Sequence, residues 1–159
     1  MNVLISGPPE AVRGSVQRSV QRSVQRSKVD VGLLRRRAAA ILKAAGQARA
    51  ELSIALVDDA AIRELNGQYR GKLRPTDVLS FSLVEGEFAD RRGKLLGDVV
   101  ISVDTAARQA RERRRGLDDT IAKLLVHGVL HLLGHDHEED DEARRMLAEE
   151  RRIWRVLAR

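Results

Sequence analysis

Every histidine of this 159-residue chain falls within one stretch of eleven residues, His127-Gly128-Val129-Leu130-His131-Leu132-Leu133-Gly134-His135-Asp136-His137. Two imidazoles four residues apart on a helix leave the same face one turn apart, a separation at which both can hold one tetrahedral metal. His127 and His131 have that spacing. Gly134 can take the left-handed conformation that ends a helix, and a chain turning back there brings His137 to the same ion. Three nitrogens leave a fourth position open, as in catalytic rather than structural zinc sites. Such an ion lowers the pKa of bound water to about 7 and polarises a phosphoryl or carbonyl oxygen, so the chemistry indicated is hydrolysis. His135 is either an alternative ligand or a residue facing solvent or substrate. Asp136 either fixes the tautomer of a ligand imidazole or caps the turn.

Zinc peptidases place their general base, a glutamate, directly after the first histidine of the helical pair. This chain has Gly128 there, which removes the base from a peptidase reading. The acids Glu138, Glu139, Asp140, Asp141 and Glu142 begin the last helical pattern, where negative charge suits the positive end of the helix dipole. They read as a solvated helix start rather than a second metal site.

The histidines need a helix to carry them and a core to hold that helix. Hydrophobic residues make up 43% of the chain, enough for a core and too many for wholesale disorder, while aromatics at 3% make that core aliphatic. Cysteine is absent, which excludes disulfides, thiol nucleophiles and thiolate metal sites. No apolar run reaches the length of about 20 residues that crosses a bilayer. No secretory signal pattern opens the chain, so a cytoplasmic location is expected. Lys and Arg number 29 against 23 Asp and Glu, a net charge of +6 that favours an anionic partner such as RNA or DNA. Tyr69, Phe81, Phe88 and Trp154 are too scattered for a base-stacking platform, so sequence-specific readout is not expected from this chain alone.

The elements follow from periodicity. After Val3-Leu4-Ile5 the chain repeats Ser-Val-Gln-Arg three times between Ser15 and Arg26, low-complexity sequence that reads as an insertion rather than a working element. Leu33, Leu34, Ala38, Ile41 and Leu42 predict a helix ended by Gly46, and Leu52 to Val57 a strand. Asp58 or Asp59 caps a helix burying Ile62 and Leu65 and closing near Tyr69-Arg70-Gly71. Thr76 to Leu83 and Leu95 to Val103 are two further strands. Asp104 is expected to cap a basic helix running through Arg115, and Asp118 or Asp119 to open the histidine helix. A last helix over about Glu139 to Leu157 turns Met146, Leu147, Ile153, Trp154 and Leu157 inward. The expected fold is a single α+β domain, a mixed sheet of about four strands packed with helices. Residues 1–28 hold the first strand and the insertion, and residues 29–159 the working domain. Arg108, Arg111, Arg113, Arg114 and Arg115, with Arg35, Arg36 and Arg37, offer either phosphate contacts or a solvated helix face.

The run from His127 to His137 resembles the H-G-x-L-H-L-x-G-x-D-H signature of the YbeY endoribonucleases, and every fixed position matches. Glu64-Leu65-Asn66, Tyr69-Arg70-Gly71-Lys72, Pro75 to Phe81, Gly97-Asp98-Val99 and Ile101-Ser102 resemble other blocks of that family in the same order, over about Val29 to Leu157. The repeats enlarge a connection that is usually shorter in the family, and Ser82 stands where proline is common. The resemblance implies a three-histidine Zn2+ site at His127, His131 and His137, with His127 and Arg70 as catalytic residues. The implied activity is single-strand-specific RNA cleavage in 16S rRNA 3′-end maturation and ribosome quality control. Implied partners are rRNA and ribosomal particles, with a ribosomal protein or an assembly GTPase. Two other classes fit parts of the pattern: a non-catalytic assembly factor whose zinc is structural, and a zinc hydrolase of different substrate. The guanidinium of Arg70 suits phosphodiester chemistry because it can give two parallel hydrogen bonds to phosphate oxygens. The general base stays open between Asp136, metal-activated water and attack by the RNA 2′-hydroxyl.

Overall fold

The structure, a computed structural model, describes residues 3–6, 27–71, 76–82, 95–136 and 138–158. The Ser-Val-Gln-Arg repeats, Lys72, Pro75, Phe88 and His137 lie outside the described residues. Four strands form one mixed sheet in the order β1-β2-β4-β3: β1 (Val3–Ser6), β2 (Glu51–Val57), β3 (Val78–Ser82) and β4 (Leu95–Ser102). β1 and β4 run parallel to β2, and β3 runs antiparallel to β4 along one edge. Five helices among the described residues complete the chain: α1 (Val31–Ala44), α2 (Asp59–Arg70), α3 (Val103–Glu112), α4 (Leu117–Leu132) and α5 (Asp140–Leu157).

Alternation along the strands divides the core in two. Leu52, Ile54 and Leu56 of β2 and Val99 and Ile101 of β4 face one side, where α1, α4 and α5 bring Ile41, Leu125 and Ile153. Ala55, Val57, Leu79 and Val100 face the other side, covered by Ala61, Ile62 and Leu65 of α2. One extra residue in β4 lets both Leu96 and Val99 reach the first side: the pairing runs from Glu51–Leu95 directly to Leu52–Gly97.

The helix starts show which polar side chains close the first turn. Asp30 and Asp58 cap α1 and α2 through side-chain bonds to the amides of Leu33 and Ala61, and of the two acids expected at the start of α2 it is Asp58 that takes the capping place. Gly46 and Gly71 follow these two helices with positive φ of 75° and 68°. The next two starts differ from expectation. Ser102, not Asp104, caps α3, which begins inside the expected strand end and stops at Glu112 rather than Arg115. Gly116 precedes α4 without a side-chain cap, and Asp118 and Asp119 lie inside its first turn. There Asp118 accepts the Asp30 amide at 3.0 Å and Asp119 pairs with Arg37 at 2.8 Å, so both acids tie α4 to α1.

α4 is the axle of the fold. Ten of its sixteen residues are buried, against β3, β4, α1, α3 and α5. Its remaining positions are Leu117, Asp118, Asp119, Lys123, His127 and His131. The last four recur at intervals of four, so the side of α4 that reaches solvent is one stripe of ionisable groups. In α5, Met146 and Ile153 are buried as expected, but Leu147 is 45% exposed and Trp154 only half-buried.

Candidate metal centre

Gly128 sets how closely α4 lies on the sheet. A Cβ placed there would stand 2.7 Å from Val99 Cγ1, 3.2 Å from Ser80 Oγ and 3.3 Å from Val78 Cγ2. Its carbonyl accepts a bond from Ser80 Oγ at 2.9 Å, so the glycine lets helix and edge strand touch and a hydroxyl fixes their register. A glutamate at this position, the peptidase base, would have no room for its first carbon.

The neighbouring His127 is half-buried and held from both sides. Its Nδ1 lies 2.7 Å from Glu150 Oε1 of α5, and its Nε2 lies 3.1 Å from His131 Nε2. The two rings meet edge to face, with centroids 4.6 Å apart and planes inclined by 72°. A carboxylate accepts, so Nδ1 carries the proton and Nε2 of His127 presents a lone pair toward His131. Two nitrogens bound to one tetrahedral zinc at about 2.0–2.1 Å stand about 3.3 Å apart, close to the separation found. The chemistry and spacing of this pair therefore suit zinc. Among the described residues no cluster of three ligating groups forms, and His137, the expected third ligand, lies outside them.

No motif or spacing singles out Glu150, yet the sequence carries a signal for it. It stands four residues after Met146, three before Ile153 and four before Trp154, so it is a carboxylate on the apolar face of an amphipathic helix. Such a group needs a partner, and the partner is His127.

Other expected site residues are placed as follows. Gly134 takes φ +93° just after α4, as a helix-ending glycine should. His135 and Asp136 line a recess of about 270 Å³ together with Glu142 and Arg145. Arg70 is the last residue of α2, and its side chain lies outside what is described. The preceding Tyr69 packs edge-on against Phe81 of β3, ring centroids 5.2 Å apart. The end of α2 and the histidine helix thus flank the same edge strand from opposite faces of the sheet.

Two of the arginines that offered either phosphate contacts or a solvated face are engaged within the fold. Arg108 pairs with Asp59 at 2.8 Å, and Ser102 and Thr105 donate to the other oxygen of that carboxylate at 2.7 Å each. Burial opposes ionisation of Asp59, but the hydrogen bonds from Arg108, Thr105 and Ser102 outweigh it and hold its carboxyl below the usual range. Arg37 is committed to Asp119. Arg111, Arg113, Arg114 and Arg115 form no ion pair among the described residues, and the first three are exposed.

A three-layer α+β protein that converges two histidines on the face of its central helix belongs to a narrow class, and comparison with known proteins defines it. The family model described as Endoribonuclease YbeY matches residues 19–158. The Endoribonuclease YbeY of Anaeromyxobacter sp. (strain Fw109-5) is 55% identical over 123 residues, 77% of this chain and 62% of that relative. This chain thus spans less than two thirds of that relative's length. The Endoribonuclease YbeY of Geobacter metallireducens is 47% identical over 79% of this chain and 85% of its own length, and that of Aquifex aeolicus 52% identical over 68% and 70%. A Thermotoga maritima protein solved in solution shares the fold with a TM-score of 0.55 and 26% identity, over 98% of this chain and 88% of its own. The chain belongs to the YbeY family of endoribonucleases, enzymes that act on RNA.

Proposed function

We propose that this chain is a zinc-dependent endoribonuclease that cuts single-stranded RNA, with 16S rRNA 3′-end maturation and ribosome quality control as its setting. The observation that carries the reading is the convergence of His127 Nε2 and His131 Nε2 at 3.1 Å, with Glu150 on the far nitrogen of His127. His127, His131 and His137 would hold the ion. Bound zinc supplies Lewis acidity at the scissile phosphate. The protein's own part is positional. Glu150 keeps the proton of His127 on Nδ1, so that Nε2 stays a donor of electrons rather than of hydrogen. Ser80 and Gly128 hold the helix that carries both rings against the edge strand. Arg70, the last residue of α2, would neutralise phosphate charge, since a guanidinium can engage two oxygens as negative charge builds. No described helix is long and apolar enough to cross a membrane, and a cytoplasmic location alongside rRNA, ribosomal particles and their protein or GTPase factors is part of the proposal.

The test is cleavage of a single-stranded rRNA fragment, with chelator and zinc restoration, beside His127→Ala and Arg70→Ala proteins from the same preparation. Chelator-sensitive cutting lost in both variants is expected. Cutting unchanged in both would expose a contaminating nuclease. Failure of folded, zinc-loaded protein to cut would leave the non-catalytic assembly factor as the better account. A 2′,3′-cyclic phosphate on the product would assign the attack to the RNA's own 2′-hydroxyl.

A further inference from the structure

Beside the histidine pair, α4 and α5 enclose a trough of about 190 Å³ lined by Lys123, Val126, Leu147, Glu150, Arg151 and Trp154. Glu150 is a wall common to trough and metal centre, since its Oε1 lies 2.7 Å from His127 Nδ1. Lys123 stands one turn before His127 on the ionisable stripe of α4, about 6 Å along the helix axis, within the reach of one nucleotide. Its ammonium sits 4.8 Å from the centroid of the Trp154 ring.

Three features say what fits there. The sides are apolar, formed by Val126, the indole and Leu147, which is 45% exposed. The rim is cationic, with Lys123 and Arg151. Lys123 forms no ion pair among the described residues, and it is electrostatically crowded. Burial first, then the fields of Arg115 and Arg113, lower its pKa, and the opposing fields of Asp119 and Glu150 do not restore it. An anion arriving at Lys123 would relieve that crowding. A flat apolar group joined to an anionic group describes a nucleotide better than it describes a free anion or an apolar helix.

We infer that this trough is a subsite for the nucleotide next to the scissile phosphate, its base against Trp154 and Leu147 and its phosphate on Lys123, with Arg113 and Arg115 extending the backbone track. The inference rests on the RNA-cleaving reading of the neighbouring histidines and adds to it the path of the strand.

Trp154 is the single tryptophan of the chain, so its fluorescence reports the trough directly. The full chain is titrated with a 2′-O-methyl oligoadenylate recovered intact after the titration, with an abasic oligonucleotide of equal length and with oligoglutamate. The same preparation is assayed for cleavage of unmodified RNA. The oligoadenylate is expected to change Trp154 emission saturably and to bind at least about fivefold more tightly than the abasic strand, as loss of a stacked base implies. Lys123→Met keeps the stem over the indole and removes the charge. It is expected to weaken binding about tenfold and to lower the salt slope by about 0.7, one phosphate contact fewer on a single strand. Equal binding of base-bearing and abasic strands, an equal response to oligoglutamate, or an unchanged salt slope in Lys123→Met would overturn the subsite. RNA cutting with a silent Trp154 refutes the subsite and leaves the nuclease reading standing. A responsive Trp154 in folded, zinc-loaded protein that does not cut refutes the nuclease reading and with it the place of the trough beside a scissile phosphate, leaving an RNA-binding trough alone.

Discussion

Adding one methyl group at Gly128 tests how tightly the histidine helix is seated. In an exposed helix, Gly→Ala gains about 1 kcal/mol of helix propensity. Here the new Cβ would stand 2.7 Å from Val99 Cγ1, where carbon atoms ordinarily rest about 3.5–4.0 Å apart. Val99 is 0% exposed and packed in the main core, so it cannot swing aside, and α4 or β4 must shift by about 1 Å. Overpacking of this kind costs about 1–3 kcal/mol, more than the propensity gain at its upper end, and the shift also strains the Ser80–Gly128 bond. We expect Gly128→Ala to lose up to about 2 kcal/mol net, which for a chain of this size lowers Tm by up to about 8 °C. Urea and thermal unfolding of the metal-free protein measure it without any contribution from zinc. Val99→Ala alone leaves a cavity and costs about 2 kcal/mol. In the double variant the methyl group added at position 128 enters that cavity, so the two single losses should sum to at least about 0.5 kcal/mol more than the loss in the pair together. A more stable Gly128→Ala protein, or strictly additive losses, would refute the close seating of α4 on β4.

Three further outcomes are expected. Glu150→Ala should weaken zinc binding about 10- to 100-fold in a chelator competition, and in the metal-free protein the nitrogen shifts of His127 should lose their single-tautomer pattern; Glu150→Gln, which still accepts, should lose less. Asp59 ionises more readily folded than unfolded, so its contribution is complete above pH about 4 and disappears as pH falls through the lowered folded value; the stability difference between the parent and Asp59→Asn should shrink over that acid range in urea titrations. Removing zinc by chelation should abolish cleavage while far-UV circular dichroism is retained, because ten buried residues and not the ion hold α4 in place; global unfolding on chelation would instead mark the ion as structural.

Much of the fold was legible because its strongest signals are local. The aliphatic period of Leu34, Ala38, Ile41 and Leu42 and the cap at Asp58 appear where their patterns put them. The starts of α3 and α4 are displaced because several residues near each could cap. At α3, Ser102 takes the capping position and Asp104 turns to accept the Asp59 amide at 3.0 Å. At α4, acids expected as caps serve tertiary bonds to Asp30 and Arg37. The facing of His127 and His131 follows from spacing within one helix. Glu150 is 23 residues away from His127, and no helix period links the two elements, so only the packing of α5 on α4 reveals their bond. Leu147 reads as core beside Met146, but the buried face of α5 is narrow and its edge falls between the two.

The axle position of α4 bears on how such a protein can vary. Ten positions are closed by the interior, and at five of the other six each change alters a charge or a ligand, Leu117 at the first turn being the exception. Neutral drift has almost nowhere to settle on this helix. Substitutions that retune substrate preference while preserving the reaction must accumulate on the elements that border the stripe. α5 is the one with the most freedom, since Leu147, Arg151 and Arg155 are exposed on it. A mutational scan would accordingly trace α4 as an intolerant band and the outer side of α5 as the permissive margin along it.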